Sequence, residues 1–334
     1  MTLLFIDSFD HYDDAELSLK WTVVAGTPTI EAVGRNSTNG LEIVSSETIS
    51  KTFPGGNQAS IVVGVAFKIF NNGGISVFKL MDTSTIQLEV RPNAATLQLE
   101  LYRGTTLIAT SVDALSIGVY YYIELKATIA DAGGVAIVRV NSIEWINFSG
   151  DTKQTANAYA TNVLLGRGAG GGGTFHYDDF YLCNQSGSVN NNFLGDIRIE
   201  AILPSGAGNS AQWTPSAGAN YENVDETPPD EDTTYNSSLT PTNLDLFAMA
   251  NLVSTSGSIK GIQTLRYTRK DDAGARIIRR AIRTGATNYF GSNESISLQT
   301  YAYFHEIVEN NPNTTNPWTI SEVNAIEAGY ELVS

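Results

Sequence analysis

Three glycines near the middle of the chain have the spacing of a phosphate-binding loop. Gly166, Gly168 and Gly171 satisfy G-x-G-x-x-G. In dinucleotide-binding folds such a loop leads directly into a helix whose N-terminal amides hold the phosphate. Here the glycines lead into TFHYDDFYL at 174–182, an aromatic and β-rich segment without helical periodicity. The sequence therefore predicts a connection between two strands at 170–173 and no cofactor site.

Histidine and aspartate recur at two distant points of the sequence. HYDD stands at 11–14 and again at 176–179. If the two segments pair as strands, six side chains could form an oxygen-rich pocket for a hard cation such as calcium: His11, Asp13, Asp14, His176, Asp178 and Asp179. Neighbouring aspartates on a strand point to opposite faces, so at most half of them could converge. We assign no metal ligand and no cofactor, and a structural calcium ion stays an open alternative.

An arginine-rich segment stands in an otherwise acidic chain. The formal net charge of −15 opposes phosphate backbones, so we expect no nucleic-acid partner. The exception is a cluster of seven cations: Arg266, Arg269, Lys270, Arg276, Arg279, Arg280 and Arg283. On the strands of a hairpin they would form a solvated sheet face or meet acidic loops of a neighbouring subunit.

Composition narrows the class of protein further. Only 16% of the residues are Asp, Glu, Lys or Arg, below the usual quarter. The surface must therefore be kept soluble by hydroxyls and amides, which is typical of extracellular or virion β-proteins. Cys183 is the only cysteine, which excludes an intrachain disulfide. No stretch approaches the roughly 20 apolar residues of a membrane span, so we expect no membrane partner.

Strand patterns dominate the first half of the chain. Alternating runs rich in β-branched and aromatic residues are separated by turn clusters such as NNGG at 71–74 and DAGG at 131–134. The runs lie at 61–70, 74–80, 86–90, 97–103, 120–129 and 135–140. Short strands at this spacing predict an all-β fold with antiparallel β-sandwich domains. We expect the strands in 3–12 and 176–182 to lie side by side and close a jelly-roll domain over 1–187.

The second domain is predicted over 188–334, as a smaller β-sandwich. DIRIEAILP at 196–204 has a strand pattern, and an acidic loop over 204–243 follows it. Such a long loop should be functional or pinned to a partner. We expect a β-hairpin around DDAG at 271–274. Three aromatic residues of the loop could stack on sugars, anchor a neighbouring protein or be buried: Trp213, Tyr221 and Tyr235.

The C-terminal segment PWTISEVNAIEAGYELVS has the pattern of one short helix. Thr319 or Ser321 can cap its N-terminus, Val323 and Ile326 form an apolar stripe, and Gly329 can end it. The helix is too short to be stable alone, so we expect it to pack against the second sandwich.

Two resemblances to known families follow from these segments. The order of LLFIDSFD, Trp21, GLEI at 40–43, the string of strands and HYDDFYL resembles the concanavalin A-like, or laminin G-like, jelly-roll superfamily over about residues 1–185. The C-terminal half resembles a family of tailed-bacteriophage virion structural proteins in four segments: DDFYLCNQSGSVNNNFLGDIRIEAILPSGAGNSAQWTPS, NVDETPPDEDTTYN, YTRKDDAG and WTISEVNAIEAG.

The second resemblance implies a non-enzymatic structural component of the particle surface: a head decoration, a head fibre or a tail-associated protein. It implies localisation in the virion after assembly in the host cytoplasm, with capsid or tail proteins as partners. Homo-oligomers of cyclic symmetry, such as trimers, would follow. The alternative is a carbohydrate-binding module that attaches to glycans.

A glycoside hydrolase is the remaining alternative. Glucanases of the concanavalin A-like superfamily resemble one another in a strand E-x-D-x-x-E, which points two carboxylates into one cleft. The chain has no such triplet, and its nearest candidates are Asp196 and Glu200 at the predicted domain junction. We therefore predict no catalytic residue and no enzyme.

Overall fold

The computed structural model describes residues 2–44, 46–71, 75–166 and 172–334. It divides into two compact units, Met1–Ile199 and Glu200–Ser334. Both are built almost wholly from antiparallel strands. The predicted all-β fold with antiparallel sandwich-like sheets is confirmed.

The first unit contains fifteen of the strands in the described residues and one four-residue helix, α1 (Leu17–Lys20). The strands are β1 (Leu3–Asp7), β2 (Val23–Ala25), β3 (Thr29–Glu31), β4 (Gly40–Val44), β5 (Thr48–Thr52), β6 (Ser60–Ile69), β7 (Phe78–Asp82), β8 (Thr85–Pro92), β9 (Gln98–Arg103), β10 (Thr106–Ala114), β11 (Tyr120–Thr128), β12 (Gly134–Val140), β13 (Ile143–Gly150), β14 (Asn162–Gly166) and β15 (Thr174–Asn184).

These strands form two sheets. Sheet A has the order β13-β12-β11-β6-β15-β4-β3, with β1 also paired to β15, and sheet B has the order β10-β9-β8-β7-β14-β5-β2. On sheet B the inner face is apolar, with Leu88 and Val90 on β8 and Leu99 and Leu101 on β9 fully buried. The side chains between them point to the outer face, because successive residues of a strand alternate. Sheet B therefore has one face in the core and a second, polar face.

The two ends of the first unit pair as predicted. Strand β1 runs antiparallel to β15, with Leu3 opposite Cys183 and Asp7 opposite Phe180. Of the three glycines in the phosphate-loop spacing, Gly168 and Gly171 lie outside the described residues. Gly166 ends β14 with a φ of 90°, and a Cβ there would lie 2.5 Å from the carbonyl oxygen of Glu47. The segment after the glycines is the strand β15, and a strand offers no helical amides for a phosphate.

The first unit extends beyond the predicted boundary at residue 187. The segment 185–199 lies along the outer face of sheet A, where the Gly195 amide donates to Glu124 Oε1 (2.9 Å) and the Ile199 amide donates to Asp179 Oδ1 (2.6 Å). Arg35 adds an ion pair to Asp196 at 2.5 Å. These contacts explain why the compact unit ends at Ile199.

The second unit holds ten of the described strands and the four-residue helix α2 (Ile320–Val323). The strands are β16 (Pro204–Ala211), β17 (Thr214–Pro215), β18 (Asn236–Ser237), β19 (Leu244–Met249), β20 (Ile262–Thr268), β21 (Arg276–Thr284), β22 (Thr287–Phe290), β23 (Glu294–Ile296), β24 (Ala302–Val308) and β25 (Glu327–Leu332). Sheet C has the order β16-β19-β25-β21-β22 with β23 also on β21, and β17–β18 and β20–β24 form separate pairs.

The predicted strand at 196–204 and loop at 204–243 are wrong in their bounds. Strand β16 begins at Pro204, inside the predicted loop, and pairs with β19. The small residues of β16 have little strand propensity, so the sequence pattern does not reveal this strand. They are required there, because a Cβ at Gly208 would lie 2.4 Å from the carbonyl oxygen of Leu246. The rest of the loop is anchored within the unit by Asp245, which is fully buried and accepts from the amides of Gln212 (2.7 Å) and Trp213 (2.9 Å).

The predicted hairpin around DDAG is also wrong. Strands β20 and β21 flank this segment but do not pair, because β20 pairs with β24 and β21 with β25. Strand β25 occupies one edge of β21 and strands β22 and β23 occupy the other, so neither edge remains for β20.

The C-terminal helix forms, but it is one turn long. Thr319 caps α2, and its side chain exchanges hydrogen bonds with Glu322. The chain then enters β25 between β19 and β21, with Gly329 in its middle. A Cβ at Gly329 would lie 2.0 Å from the carbonyl oxygen of Asp245, so this glycine permits close strand approach and does not end a helix.

Candidate functional site

The outer face of sheet B carries a lateral row of side chains from neighbouring strands. The strand register places Lys79 on β7 opposite Glu89 on β8, and Glu89 opposite Tyr102 on β9. The same register extends the row in both directions: Val23, Ser50, Leu164, Lys79, Glu89, Tyr102 and Leu107. Cross-strand neighbours on one face are in contact distance. The row therefore forms one continuous surface across the sheet.

Two carboxylates and an arginine lie on the neighbouring strands β8 and β9 of this face. Arg91 lies opposite Glu100 on β9 and two residues along β8 from Glu89, so it stands between the two acids. Arg91 Nη1 is 3.8 Å from Glu89 Oε2, and Arg91 Nε is 3.7 Å from Glu100 Oε2. The side chains of Glu89 and Glu100 are only 8% and 10% exposed. This cluster of two buried acids with one arginine between them is the candidate functional site.

Tyr102 connects this acid pair with the arginine. Its hydroxyl donates to Glu100 Oε2 at 2.9 Å. Its ring lies beneath the guanidinium of Arg91, whose Cζ is 3.7 Å from the ring centroid. A cation stacked on an aromatic face is attracted by the ring quadrupole. Tyr102 therefore fixes the position of Arg91 and donates a hydrogen bond to Glu100.

A groove of about 520 Å³ continues the outer face beyond Leu164. Apolar side chains of Val23, Met81 and Leu164 line it together with hydroxyl and amide groups. The polar lining residues are Ser50, Thr52, Thr83, Ser84, Thr161 and Asn162. Apolar patches bordered by hydroxyls suit ligands that present both kinds of surface.

One end of the face is closed by the segment 151–161. Gln87, fully buried on β8, donates through Nε2 to the carbonyl oxygens of Asn157 (2.8 Å) and Tyr159 (3.0 Å). Asp82 accepts from the Thr155 hydroxyl at 2.6 Å. The segment 151–161 therefore covers the outer face at Gln87. Glu89 and Arg91, further along β8, lie outside the covered part.

The six side chains considered for calcium do not form one pocket. His11 Nε2 contacts Lys20 Nζ at 2.6 Å, and His176 Nε2 contacts Glu42 Oε2 at 2.9 Å. Asp13 caps the Ala15 amide (2.9 Å), and Asp14 accepts from the Ile30 amide (2.6 Å). Within the described ranges no group of three or more acidic, histidine or cysteine side chains has the geometry of a metal site.

Burial perturbs several of these groups. Burial, together with the Lys20 charge, lowers the pKa of His11 to about 3. Burial and the neighbouring Asp179 carboxylate raise the pKa of Asp178 to about 8. Asp178 accepts from the Arg35 amide (2.6 Å), and Asp179 forms an ion pair with the Arg35 guanidinium. These contacts are structural, since they hold the segment 35–40 and β15 together.

The junction acids also have structural partners. Asp196 forms its ion pair with Arg35, while Glu200 accepts from the amides of Val253 (2.7 Å) and Ser254 (3.1 Å). Neither side chain forms the cleft of two carboxylates that a glycosidase requires. The acids that do lie together, Glu89 and Glu100, were missed because they stand on two strands eleven residues apart, where no single-strand motif can record them.

The arginines of the second unit have acidic partners within that unit. Arg279 pairs with Glu331 (2.9 Å), Arg266 with Glu294 (2.8 Å) and Arg280 with Glu306 (3.1 Å). Asp232 of the acidic loop pairs with Arg269 at 2.8 Å. The acidic loop and the arginines thus meet each other within one chain.

Among the loop aromatics, Trp213 packs edge-to-face on Tyr330, with ring centroids 4.7 Å apart. Tyr235 is 42% exposed. Neither of the helices in the described ranges is long and apolar enough to span a membrane.

Comparison with known proteins identifies similar folds at low sequence identity. No family model matches the chain, and no curated protein does so either. An endo-β-1,4-glucuronan lyase from the fungus Trichoderma reesei is similar at 11% identity and a TM-score of 0.40, over 54% of this chain and 94% of that one. A galectin-like protein of unknown function from Bacillus subtilis is similar at 14% identity and a TM-score of 0.38, over 55% and 98%.

The alginate lyase Aly36B is similar at 10% identity and a TM-score of 0.39, over 53% of this chain and 93% of that one. Similarity at this level concerns the fold alone. The prediction of a non-enzymatic phage structural component is nevertheless corrected, because the named structures include polysaccharide lyases and none is a phage protein. The physical reason is the missed pair: the lack of an E-x-D-x-x-E strand does not exclude carboxylates that meet across two strands.

Proposed function

We propose that the outer face of sheet B binds a polysaccharide chain and cleaves it at the cluster of Glu89, Glu100, Arg91 and Tyr102. The observation that carries this proposal is the pair of nearly buried carboxylates on β8 and β9: Glu89 belongs to the continuous row of side chains, and Glu100 lies beside the row, opposite Arg91. A purely structural sheet face gains little from burying two acids, because burial of charge costs free energy.

The row fits an extended polymer. Adjacent strands lie about 4.8 Å apart, so a row across seven strands spans about 29 Å and faces several sugar units. The groove at Leu164 and Met81 offers apolar contacts with hydroxyls beside them, and Tyr102 and Leu107 continue the surface on the other side of the acids. A chain that lies across the strands would therefore pass directly over Glu89.

The central side chains provide the groups that cleavage of a glycosidic linkage needs. The Tyr102 hydroxyl donates a hydrogen bond to Glu100, which places an O–H group and a carboxylate side by side. Glu89 supplies a second carboxylate on the neighbouring strand. General acid and base catalysis requires such groups within hydrogen-bond reach of the reacting atoms.

The test is release of new chain ends from a panel of neutral and acidic polysaccharides. The wild-type protein should cleave at least one of them, and Glu89→Gln and Glu100→Gln should lower the rate by about 10² or more. Glu144→Gln is the matched control, since Glu144 is exposed on the edge strand β13 of sheet A and should have no effect. Full activity of both variants, or no cleavage of any polymer, would contradict the proposal.

The location and assembly of the chain stay predictions. The resemblance to phage particle proteins supports other virion proteins as partners, homo-oligomers and localisation in the virion. Mass spectrometry of purified particles tests the location, and the mass of the protein in solution tests the oligomer.

A further inference from the structure

The Arg91 side chain forms ion pairs with Glu89 and Glu100 but makes no direct hydrogen bond within the described part of the chain. Its side chain is 35% exposed on the outer face of sheet B. The stack on Tyr102 fixes the guanidinium plane, and the two nearest carboxylate oxygens are 3.8 and 3.7 Å away, beyond hydrogen-bond distance. A guanidinium carries five N–H donors, and none of those of Arg91 is in a direct hydrogen bond within the described residues.

The neighbouring acids have other donors. Glu89 accepts from the Ser76 hydroxyl. Glu100 accepts from Asn93 Nδ2 at 2.6 Å and from the Tyr102 hydroxyl at 2.9 Å. Both acids lie at ion-pair distance from Arg91, but neither accepts a direct hydrogen bond from it. The guanidinium, whose side chain is 35% exposed, therefore keeps N–H donors that no direct hydrogen bond occupies.

The geometry of the Arg91 guanidinium group determines which ligand it binds best. An arginine binds a planar carboxylate through two parallel N–H···O bonds, which are charge-assisted. The chain as a whole carries a charge of −15, so long-range attraction does not collect anions and recognition must be local. A polymer with one carboxylate on each sugar would place such a group at Arg91 in any register.

We propose that Arg91 binds the carboxylate of a uronic acid, so that the polysaccharide taken by this face is a polyuronate. This inference rests on the proposed function and specifies its substrate class. Arg91 acts as a binding residue: it selects the acidic sugar next to Glu89, while Tyr102 positions it. Lys79 lies one strand away from Glu89 on the same face and adds a second cation to the surface.

The experiment compares two ligands that differ only in the charged group. Binding of polygalacturonate and of the same polymer with its carboxyls reduced to hydroxymethyl groups is measured by affinity electrophoresis. The wild-type protein should bind the acid form, and Arg91→Gln should weaken that binding roughly 10- to 100-fold while leaving the reduced form unchanged. The affinity of Arg91→Lys for the acid form should lie between those of the wild type and Arg91→Gln, because an ammonium cannot form the two parallel bonds.

Arg276→Gln serves as the control, since Arg276 is also about one-third exposed, at 30%, and lies in the other unit. Equal binding of both polymers by the wild type, or unchanged binding by Arg91→Gln, would overturn the uronate assignment. If the protein then cleaved a neutral polymer, the proposed function would still stand. Binding of a sulfated neutral polymer in place of the uronate would overturn the carboxylate as the ligand. Failure to bind or cleave any polymer would overturn both proposals.

Discussion

The guanidinium of Arg91 lies on the ring of Tyr102, with Cζ 3.7 Å from the ring centroid, although the two residues belong to different strands. The register of β8 and β9 brings them together, and the Tyr102 hydroxyl reaches Glu100 from the same ring. One side chain thus has two separable roles. Its ring supports the Arg91 guanidinium, and its hydroxyl donates a hydrogen bond to Glu100.

Substitution of Tyr102 should separate these roles. Tyr102→Phe keeps the ring beneath Arg91 but removes the hydroxyl, so polyuronate binding should persist while cleavage falls by about 10² or more. Tyr102→Ala should weaken binding as well, since Arg91 loses its support. Affinity electrophoresis and a reducing-end assay on the same preparations distinguish the two outcomes. Wild-type cleavage by Tyr102→Phe would exclude this hydroxyl from the chemistry.

Acid should destabilise the first unit through His11. Burial and the Lys20 charge lower its pKa to about 3 in the folded protein, against 6.5 when unfolded. Between these values the unfolded chain binds a proton that the folded chain does not, so the free energy of unfolding falls as the pH falls from about 6.5 towards 3. Chemical denaturation at several pH values from 7 to 4 measures this slope.

His11→Gln is the comparison for that slope. A glutamine oxygen can accept from Lys20 Nζ as the neutral imidazole does, without titrating. Asp178, with its pKa raised to about 8, acts in the opposite direction: its contribution to stability rises as the pH falls from 8 towards 3.8. The difference between wild type and His11→Gln isolates the histidine, because Asp178 is common to both. A difference that does not change with pH would show that His11 titrates normally.

Gly329 should tolerate no side chain. A Cβ there would lie 2.0 Å from the Asp245 carbonyl oxygen, so Gly329→Ala forces β19 and β25 apart and should destabilise the second unit by about 2 kcal/mol or more. Gly274→Ala is the matched control, since its nearest neighbouring atom is 3.6 Å away. Thermal unfolding of both variants measures the effect. Equal stability of Gly329→Ala and the wild type would contradict the close approach of β19 and β25 at Gly329.

The sequence predicts much of the first unit, because periodicity reports local structure. Alternating β-branched residues locate β6, β11 and β12 well, and the similar chemistry of 3–12 and 176–182 predicts the β1–β15 pair. The candidate site could not be predicted in this way. Glu89, Arg91 and Glu100 face one another only through the register of β8 with β9, which no single-strand pattern contains.

The second unit departs further from prediction for a related reason. Strand β16 consists of small and polar residues that carry no strand propensity, and its position depends on the close approach of β19. The segment after Val323 has helical apolar spacing, but pairing with β19 and β21 makes Glu327–Leu332 a central strand. In both cases the pairing with neighbouring strands, and not the local sequence pattern, determines the secondary structure.

Hydroxyl-radical footprinting with and without polyuronate tests the central claim most directly. Val23, Tyr102 and Leu107 lie along the row on sheet B, whereas Ile143, 65% exposed, lies on the edge strand of sheet A. The account predicts that saturating polymer protects the first three side chains from oxidation and leaves Ile143 unchanged. Bound polymer with no protection along the row, or with protection centred on Ile143, would contradict it.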